Sequence, residues 1–328
     1  MQRKRETPVE PLTPIAAIIG PTAVGKTAVA VEVCREIGGD VISADAMQVY
    51  RGMDIGTAKP SALERRAVSF HLIDVAGVNE AFSVARYKEL ADLAVSAVAA
   101  RGRLPVLSGG SGLYYRAVVD DLDFANTGGD ERRRAVAEVE FGDMDDLELH
   151  ALLSDLDPGS AEAIPPANRR RVLRALEVAR RGERLMSERQ RAWREFTSPY
   201  KLAVAGLEMD RPALYRRIDE RVDRMIEAGL LAEVEALRDR GLRRGSTAGE
   251  ALAYKQLLEH LDGEKSLEEA VDEIKRRTRN YAKRQMTWFR SDPRVRWFEV
   301  GGGAGDSGDA IERTATAVLE YFRDYLEN

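Results

Sequence analysis

Cysteine and histidine are scarce in this chain of 328 residues, which has one cysteine and three histidines. A single thiol can form neither an intrachain disulfide nor a zinc site built from several cysteines. We therefore expect Cys34 to pack in the core. The histidines lie far apart in the sequence, and we interpret them as structural or surface residues. Only His71, which opens an apolar run, is a candidate for a position near a site.

Long hydrophobic runs are also missing. No apolar segment reaches the roughly 18 residues that a membrane-spanning helix needs, and residues 1–13 carry charges and prolines where a signal peptide would have an apolar core. Hydrophobic residues make up 44% of the chain and charged residues 32%, which is typical of a globular protein with a sizeable core. We therefore predict a soluble, cytoplasmic protein with a flexible leader over residues 1–13. We also expect a monomer, although no sequence feature determines the oligomeric state.

Positive charge is not in excess overall, since the net charge is −5, and this argues against a general nucleic-acid coat protein. Basic residues are nevertheless concentrated in two stretches. The segment from Lys275 to Arg290 has seven basic residues, no acidic residue and three interleaved aromatic residues. The second stretch contains Arg169, Arg170, Arg171 and Arg174. This pattern is compatible with a polyanion bound on certain faces, although either cluster alone is equally compatible with a solvated helix face.

The strongest local motif is G-P-T-A-V-G-K-T, over Gly20 to Thr27. It follows the apolar run Ile15 to Ile19 and precedes a helical pattern that begins near Lys26, as a phosphate-binding loop requires. The backbone N–H groups, the helix N-terminus and Lys26 all favour a bound phosphate, and the hydroxyl of Thr27 suits Mg²⁺. We predict that a diphosphate or polyphosphate binds to Gly20, Pro21, Thr22, Ala23, Val24, Gly25, Lys26 and Thr27.

Further apolar runs predict additional strands. They are Val41 to Ala44, His71 to Val75, Leu104 to Leu107 and Lys201 to Met209. Their alternation with helical segments predicts an α/β fold, a P-loop NTPase-like parallel sheet flanked by helices. Residues 128–200 show helical patterns without a convincing strand. We therefore expect an inserted all-helical subdomain over residues 128–200, within a core formed by residues 14–127 and 201–328.

Asp45 directly follows the second predicted strand, at the sheet edge where ligands bind. A carboxylate there can accept a proton from an incoming nucleophile. Two other interpretations stay open: Asp45 caps the next segment, or it binds Mg²⁺ through water. A phosphoryl-transfer enzyme would need another acidic residue for Mg²⁺, and Asp74 is the nearest candidate.

Two more features belong to the predicted ligand edge. The glycine-rich turn from Ser108 to Tyr114 follows a strand, so its backbone can approach a ligand closely. A long helix capped by Asp210 carries three arginines on one stripe, and these repel one another unless an anion or an acidic partner lies opposite. They are Arg217, Arg221 and Arg224.

Six segments carry a resemblance that composition does not show. In chain order they read G-P-T-A-V-G-K-T, S-A-D-A-M-Q-V-Y-R-G-M-D-I-G-T-A-K-P, G-G-S-G-L-Y, N-R-R-R-V-L-R-A-L-E-V, Y-K-Q and A-K-R-Q-M-T-W-F-R. Together they resemble the bacterial tRNA dimethylallyltransferase (tRNA isopentenyltransferase) family from Ile15 to Phe298. Val24, Ala46, Ser111 and Ala253 depart from the common family residues, and the zinc finger of eukaryotic relatives is absent.

The resemblance implies transfer of a dimethylallyl group from dimethylallyl diphosphate to an adenosine of tRNA. The acceptor is the N6 amine of the adenosine 3′-adjacent to the anticodon, position 37, in tRNAs that read codons beginning with U. The products are N6-isopentenyladenosine and diphosphate. The implied cofactor is Mg²⁺, bound by Thr27, and the implied partners are the tRNA anticodon stem-loop and dimethylallyl diphosphate.

The resemblance also implies roles for individual residues. Asp45 would accept the amine proton, Ser111 would hydrogen-bond near the diphosphate or the flipped base, and Arg217 would act with them as a catalytic residue. Arg221 would join the phosphate loop in binding the diphosphate. The implied tRNA-binding residues are Asp45, Ala46, Met47, Gln48, Arg170, Arg171, Arg174, Tyr254, Lys255, Arg279, Lys283, Arg284 and Gln285.

Three other functions remain open at this level. A small-molecule P-loop kinase would use Asp45 to hold an acceptor hydroxyl, but it does not need the basic, aromatic segment from Lys275 to Arg290. A transferase acting on free AMP, ADP or ATP has little use for two basic clusters. A nucleotide-switched RNA-binding protein without chemistry would keep its activity after Asp45→Ala.

Overall fold

The computed structural model describes residues 12–122, 140–141, 143–180, 185–301 and 307–327. The chain divides into two compact units. The first unit comprises Met1–Phe82, Tyr87–Val119 and Ser198–Asn328, and the second comprises Ser83–Arg86 and Asp120–Thr197. The predicted leader lies outside the described residues up to residue 11, and so does the predicted boundary between residues 127 and 128. No helix in the described ranges is both long and apolar enough to cross a membrane.

The first unit contains a parallel sheet of six strands, which confirms the predicted fold class. The strands are β1 (Pro14–Ile19), β2 (Gly39–Ser43), β3 (Phe70–His71), β4 (Leu104–Gly109), β5 (Lys201–Glu208) and β6 (Val295–Glu299). Their order across the sheet is β3-β2-β4-β1-β5-β6, and every neighbouring pair is parallel. The carboxyl ends of β1, β2 and β4 therefore lie side by side at one edge, where parallel sheets bind ligands.

Helices connect the strands and extend the chain beyond them. In the first unit and across its borders they are α1 (Lys26–Ile37), α2 (Ala62–Ala67), α3 (Val84–Ala99) and α4 (Gly112–Val119). The second unit contains α5 (Asp146–Leu156), α6 (Pro158–Ala163), α7 (Arg169–Arg180) and α8 (Met186–Glu195). The first unit continues with α9 (Arg211–Glu227), α10 (Leu230–Asp239), α11 (Tyr254–Leu261), α12 (Leu267–Phe289) and α13 (Ser307–Glu327).

The main core lies between the sheet and helices α1 and α13. Ile18 of β1, Val33 of α1 and Phe322 of α13 belong to one buried cluster. Full burial of such a side chain contributes about 1.5–3 kcal/mol, so this face anchors the phosphate loop and its helix together. Cys34 is also in this cluster, with 1% of its surface exposed. Burial raises the pKa of its thiol to about 12, and the core position expected for Cys34 is confirmed.

The second unit has a small core of its own. Leu149 and Leu153 of α5 pack with Val172 and Leu176 of α7. Because these apolar residues recur every three to four positions, each helix turns one face inward and its charges outward. The described residues of this unit contain no strand. Arg170 and Arg171 are exposed on α7, whereas Arg174 forms an ion pair with Glu177 at 2.5 Å.

One strand prediction needs correction, and one strand was not predicted. The strand expected from His71 to Val75 ends at His71, because Leu72 and Asp74 have positive φ angles of 65° and 61° and cannot continue an extended chain. His71 itself bonds to Asp40 at 3.2 Å, within a cluster that also includes Arg101 and Arg103. Strand β6 was not predicted, because its residues V-R-W-F-E are only partly buried at the sheet edge.

Candidate active site

A cavity of about 1150 Å³ opens at the carboxyl edge of the sheet in the first unit. Its floor consists of the segments that follow three adjacent strands, namely residues 22–28 after β1, 45–48 after β2 and 108–110 at the end of β4. Helices α9 and α12 supply the facing wall. The topology therefore brings together the phosphate loop, Asp45 and the second glycine-rich turn, as the sequence analysis predicted.

The phosphate loop presents part of its length to the cavity. Gly25 has a φ of 111°, a conformation that favours glycine, and it allows the chain to turn sharply into α1. The cavity is lined by Thr22, Ala23, Gly25, Lys26 and Thr27. The other loop residues, Gly20, Pro21 and Val24, do not line the cavity. Val24 is fully buried in the core, and the carbonyl of Pro21 accepts a hydrogen bond from Lys26 Nζ at 2.7 Å.

The cavity has an excess of positive charge, which favours a multivalent anion. Seven basic and three acidic side chains line it within the described ranges. Burial, reinforced by the neighbouring Arg221, lowers the pKa of Lys26 to about 7, and Asp45 partly opposes the shift. Burial likewise lowers the pKa of Arg221 and Arg217. These cations therefore lie in a poorly solvated wall, where a bound anion would stabilise their charged forms.

One carboxylate oxygen of Asp45 accepts a hydrogen bond, and the other can accept a proton or a ligand. Its Oδ1 accepts a hydrogen bond from the Met47 N–H at 2.9 Å, which fixes the side chain beside the end of β2. Its Oδ2 has no hydrogen-bond partner among the residues that the structure describes. The neighbouring Gln48 also lines the cavity, and its amide is held by the Ser43 hydroxyl and by the carbonyl oxygens of Thr57 and Ala58. Asp45 can therefore accept a proton at Oδ2 without giving up its anchoring bond.

Ser111 is the predicted catalytic residue that the structure does not bring into the cavity. Its hydroxyl faces the Tyr114 N–H at 3.4 Å at the start of α4, and its own N–H donates to the carbonyl of Ala44 at 3.1 Å. The preceding residues, Gly109 and Gly110, line the cavity instead. In this structure the Ser111 N–H therefore ties the turn to the end of β2, and the predicted contact of its hydroxyl with substrate stays a prediction.

Gln285 and Tyr254, both predicted to bind tRNA, are buried. The Gln285 side chain accepts from the Thr22 N–H at 2.9 Å and donates to the Gly110 carbonyl at 2.7 Å. It therefore fastens α12 to both glycine-rich turns. The hydroxyl of Tyr254 donates to Glu233 at 2.7 Å, and its ring packs against Gly56. Both side chains thus have internal hydrogen bonds, and Gln285 also lines the cavity. A direct tRNA contact by Gln285 or Tyr254 stays a prediction.

The remaining predicted tRNA residues differ in their exposure. Lys283 and Arg284 are exposed on α12, and the Arg284 guanidinium lies 5.7 Å from the centre of the Tyr281 ring. Arg279 forms an ion pair with Asp219, and Lys255 forms one with Glu250 at 2.5 Å. Ala46 and Met47 line the cavity beside Asp45. The cavity wall also includes Arg224 and Arg277, to which the sequence assigned no specific role.

The residues at the phosphate loop are compatible with Mg²⁺. Among the described residues, no group of three or more histidine, cysteine, aspartate or glutamate side chains could hold a metal ion. Mg²⁺ does not need such a group, because it commonly binds substrate phosphates, water and one or two protein oxygens. Thr27 and Asp45 supply such oxygens in the same cavity. Asp74 does not line this cavity, and its carboxylate pairs with Lys59 at 2.5 Å and with Arg65 at 3.3 Å.

Comparison with known proteins agrees with this geometry. Residues 48–292 match the sequence model of the IPP transferase family. The chain belongs to this family. A tRNA dimethylallyltransferase of Halalkalibacterium halodurans is 46% identical over 87% of this chain and 91% of its own length. A second tRNA dimethylallyltransferase, from Moorella thermoacetica, is 46% identical over 94% of both chains.

Solved structures of similar proteins show the same fold as this IPP transferase family member. The crystal structure of a full-length tRNA isopentenylpyrophosphate transferase from Bacillus halodurans superposes with a TM-score of 0.70, at 42% identity, over 96% of this chain and 98% of that chain. A eukaryotic dimethylallyltransferase acting on tRNA has a TM-score of 0.79 over 95% of this chain and 80% of that chain. At 23% identity, this second likeness concerns the fold alone.

Proposed function

We propose that this protein transfers a dimethylallyl group from dimethylallyl diphosphate to the N6 amine of adenosine 37 in tRNAs that read codons beginning with U. The observation that carries the proposal is the available Oδ2 of Asp45 in the same cavity as the phosphate loop and the basic wall of α9. This arrangement provides a proton acceptor beside a diphosphate site. The names of relatives that are 46% identical support the same reaction.

The diphosphate is the leaving group in this reaction. The N6 nitrogen attacks the first carbon of the dimethylallyl group, the carbon–oxygen bond breaks, and its electron pair leaves with the diphosphate. The amides of the phosphate loop, Lys26 and Arg221 would bind the leaving oxygens, and Arg217 lies on the same helix face. Charges fixed in a poorly solvated wall stabilise a developing negative charge without needing to reorganise. Mg²⁺ held by Thr27 and the diphosphate would neutralise further charge.

Asp45 would complete the chemistry on the acceptor side. As the new carbon–nitrogen bond forms, N6 becomes positively charged and must lose a proton. Oδ2 of Asp45 would take that proton, while Oδ1 keeps the Met47 N–H and holds the carboxylate in place. The adenine must leave its stack to reach this point, as bases do in other enzymes that modify them. Ala46 and Met47 line the place where the base would enter.

The tRNA would contact the exposed basic residues of both units. We assign backbone contacts to Lys283 and Arg284 on α12, and to Arg170 and Arg171 on α7 of the second unit. RNA loops are recognised largely through phosphate contacts and splayed bases, which suits exposed basic side chains. We also propose that the protein acts as a monomer. The proposal also places the enzyme in the cytoplasm, with its tRNA substrate.

The decisive experiment is nucleoside mass spectrometry of tRNA after incubation with the protein, dimethylallyl diphosphate and Mg²⁺. We expect N6-isopentenyladenosine in an anticodon stem-loop, located at position 37 by fragmentation. Parallel reactions would offer free AMP, ADP and ATP as acceptors, and ATP alone as a phosphoryl donor. Alkylation of free nucleotides without alkylated tRNA, or ATP turnover alone, would replace this proposal with one of the other two enzyme classes.

Lys26 should make diphosphate binding depend on pH. The pKa of Lys26 is lowered to about 7 in the free protein, so the side chain loses its proton as the pH rises through 7. A bound diphosphate favours the charged lysine, and binding above pH 7 must therefore take up a proton. We expect the dissociation constant of dimethylallyl diphosphate to rise by up to about tenfold per unit between pH 7 and 9. Calorimetry in two buffers of different ionisation enthalpy measures the proton uptake.

Lys26→Arg is the control for this titration. Arginine remains charged throughout the range, so its binding should be nearly independent of pH even if its affinity differs. The phosphate groups of the ligand ionise near pH 6 and contribute little above pH 7. An equal pH slope in the variant and the natural protein would show that another group titrates.

Lys283 and Arg284 should contribute to the salt dependence of tRNA binding. A Lys283→Gln, Arg284→Gln double variant is expected to weaken binding and to reduce the slope of log K against log salt by about 2, one unit for each lost phosphate contact. The matched control is Arg35→Gln with Arg323→Gln, which removes two exposed charges elsewhere in the first unit. Filter binding at four salt concentrations measures both slopes. An unchanged slope in the first variant would place these residues in solvent.

A further inference from the structure

Glu233 collects four hydrogen bonds from two separate segments. On helix α10, its Oε2 accepts the N–H groups of Asp54 at 3.0 Å and Ile55 at 2.8 Å. Its Oε1 accepts the N–H of Gly56 at 3.3 Å and the hydroxyl of Tyr254 at 2.7 Å. Each carboxylate oxygen is therefore used twice. Only an ionised carboxylate offers this many acceptor sites on one short side chain.

Both segments that Glu233 joins form walls of the cavity. Ile55 and Gly56 line it on one side, and residues 251–253, which immediately precede Tyr254, line it on another. The contact between the two segments is close, because a Cβ atom built on Gly56 would lie 2.6 Å from the Tyr254 ring. Glu233 and the Tyr254 ring therefore fix the position of the wall at Ile55 and Gly56 relative to the wall at residues 251–253.

The second wall contains a strained residue. Ala253 has φ 73° and ψ −47°, a region that residues with a side chain rarely adopt. Such a conformation persists only where the surroundings fix it. The Ala253 N–H bonds to Gln256 at 3.1 Å, and the next residue, Tyr254, bonds to Glu233. The bond from Tyr254 to Glu233 thus helps to hold this part of the cavity in a shape that the backbone alone would not keep.

None of the bonds made by Glu233 involves the phosphate loop. The segment from Asp54 to Gly56 instead continues the chain that begins with Asp45 to Gln48, beside which the acceptor base would enter. The Gln48 amide extends towards the same segment, since it donates to the carbonyls of Thr57 and Ala58. Glu233 therefore acts on the acceptor side of the cavity.

We propose that Glu233 is a positioning residue for the acceptor nucleobase: it fixes the Asp54–Gly56 segment against Tyr254 and so sets the shape of the wall beside Asp45. This inference rests on the proposed function, because it assigns the acceptor side to a base of RNA. Displacement of a reacting group by about 1 Å can lower a rate by about 100-fold, even when the altered residue touches no substrate.

The test compares Glu233→Ala and Glu233→Gln with Glu235→Ala, which alters an exposed glutamate on the same helix. The alanine variant loses all four bonds. We expect its kcat/KM for tRNA to fall by about 10- to 100-fold, with its affinity for dimethylallyl diphosphate unchanged. The glutamine variant should be intermediate, because its carbonyl can still accept the Asp54 and Ile55 N–H groups while its amide donates to the Tyr254 hydroxyl. Glu235→Ala should behave as the natural protein.

All rates are divided by the fraction of folded protein, measured by near-ultraviolet circular dichroism and thermal unfolding. If Glu233→Ala does not fold, the glutamine variant decides the question, since it keeps most of the bonds. Natural kcat/KM for tRNA per folded molecule would overturn the inference, as would an equal loss of diphosphate affinity. If the natural protein itself alkylates no tRNA, the proposed function fails instead, and that result is seen before any variant is made.

Discussion

Replacing Asp45 with asparagine is expected to lower kcat for dimethylallyl transfer by about 100- to 10,000-fold, the usual contribution of a general base. Asparagine keeps the shape of the side chain, and its carbonyl oxygen can still accept the Met47 N–H that anchors Asp45. It cannot take the proton that leaves the adenine amine. Single-turnover reactions with saturating tRNA and dimethylallyl diphosphate, followed by nucleoside mass spectrometry, measure the rate of the chemical step.

Binding of tRNA by the Asp45→Asn variant is the internal control, and we expect it to persist because the basic residues are intact. A titration with Mg²⁺ separates the two possible uses of the carboxylate. If Asp45 served only to bind Mg²⁺ through water, high Mg²⁺ would restore the rate of the variant. Restoration of the rate, or an unaltered kcat, would remove Asp45 from the role of proton acceptor.

Arg221→Gln is expected to have the second largest effect, lowering kcat by about 100- to 1,000-fold, as the loss of one preorganised charge partner commonly does. Arg221 lines the cavity, and burial together with its neighbours lowers its pKa, while Asp45 supports its charge. Its guanidinium therefore lies ready for the charge that develops on the leaving diphosphate. Steady-state kinetics should show a larger change in kcat than in KM for dimethylallyl diphosphate, because the interaction strengthens as the bond breaks.

Arg216→Gln is the matched control, since Arg216 is an exposed arginine on the same helix and outside the cavity lining. It changes the net charge by the same amount and should leave kcat unaltered. Arg221→Lys should recover only part of the activity, because a lysine offers a point charge in place of a planar fork of donors. An equal effect of the Arg216 and Arg221 substitutions would mean that overall charge, and not a specific contact, matters.

The main strands were predictable because their residues are apolar almost without interruption, as in strands buried on both faces of a parallel sheet. Residues Ile15 to Ile19 are fully buried. The edge strands were harder to predict. The apolar run after His71 is broken by backbone turns that its residue types do not reveal, whereas β6 alternates weakly because it is only half covered. Whether these two segments form strands depends on burial by neighbouring elements, and not on the local sequence pattern.

In the candidate site, too, some residues were predictable from the sequence and the roles of others were not. Residues of local motifs, such as Lys26 and Asp45, were predicted because a strand end places them at the ligand edge. The roles of Gln285 and Glu233 were not. Gln285 contacts Thr22 across 263 residues of sequence, and Glu233 contacts Gly56 across 177. Such contacts leave no local pattern, and a polar residue in a basic helix resembles an RNA contact until the fold shows what it touches.

The burial of Cys34 also has a practical consequence for measurements on this protein. Its thiol is the only one in the chain, and its raised pKa leaves almost no thiolate at neutral pH. Alkylating reagents and mild oxidants act on thiolates, so the natural protein should stay unlabelled in their presence. A cysteine introduced at the exposed position of Lys283 would then be the only thiol that reacts with a fluorophore. The emission of that fluorophore could report tRNA binding, and the native thiol would not have to be removed first.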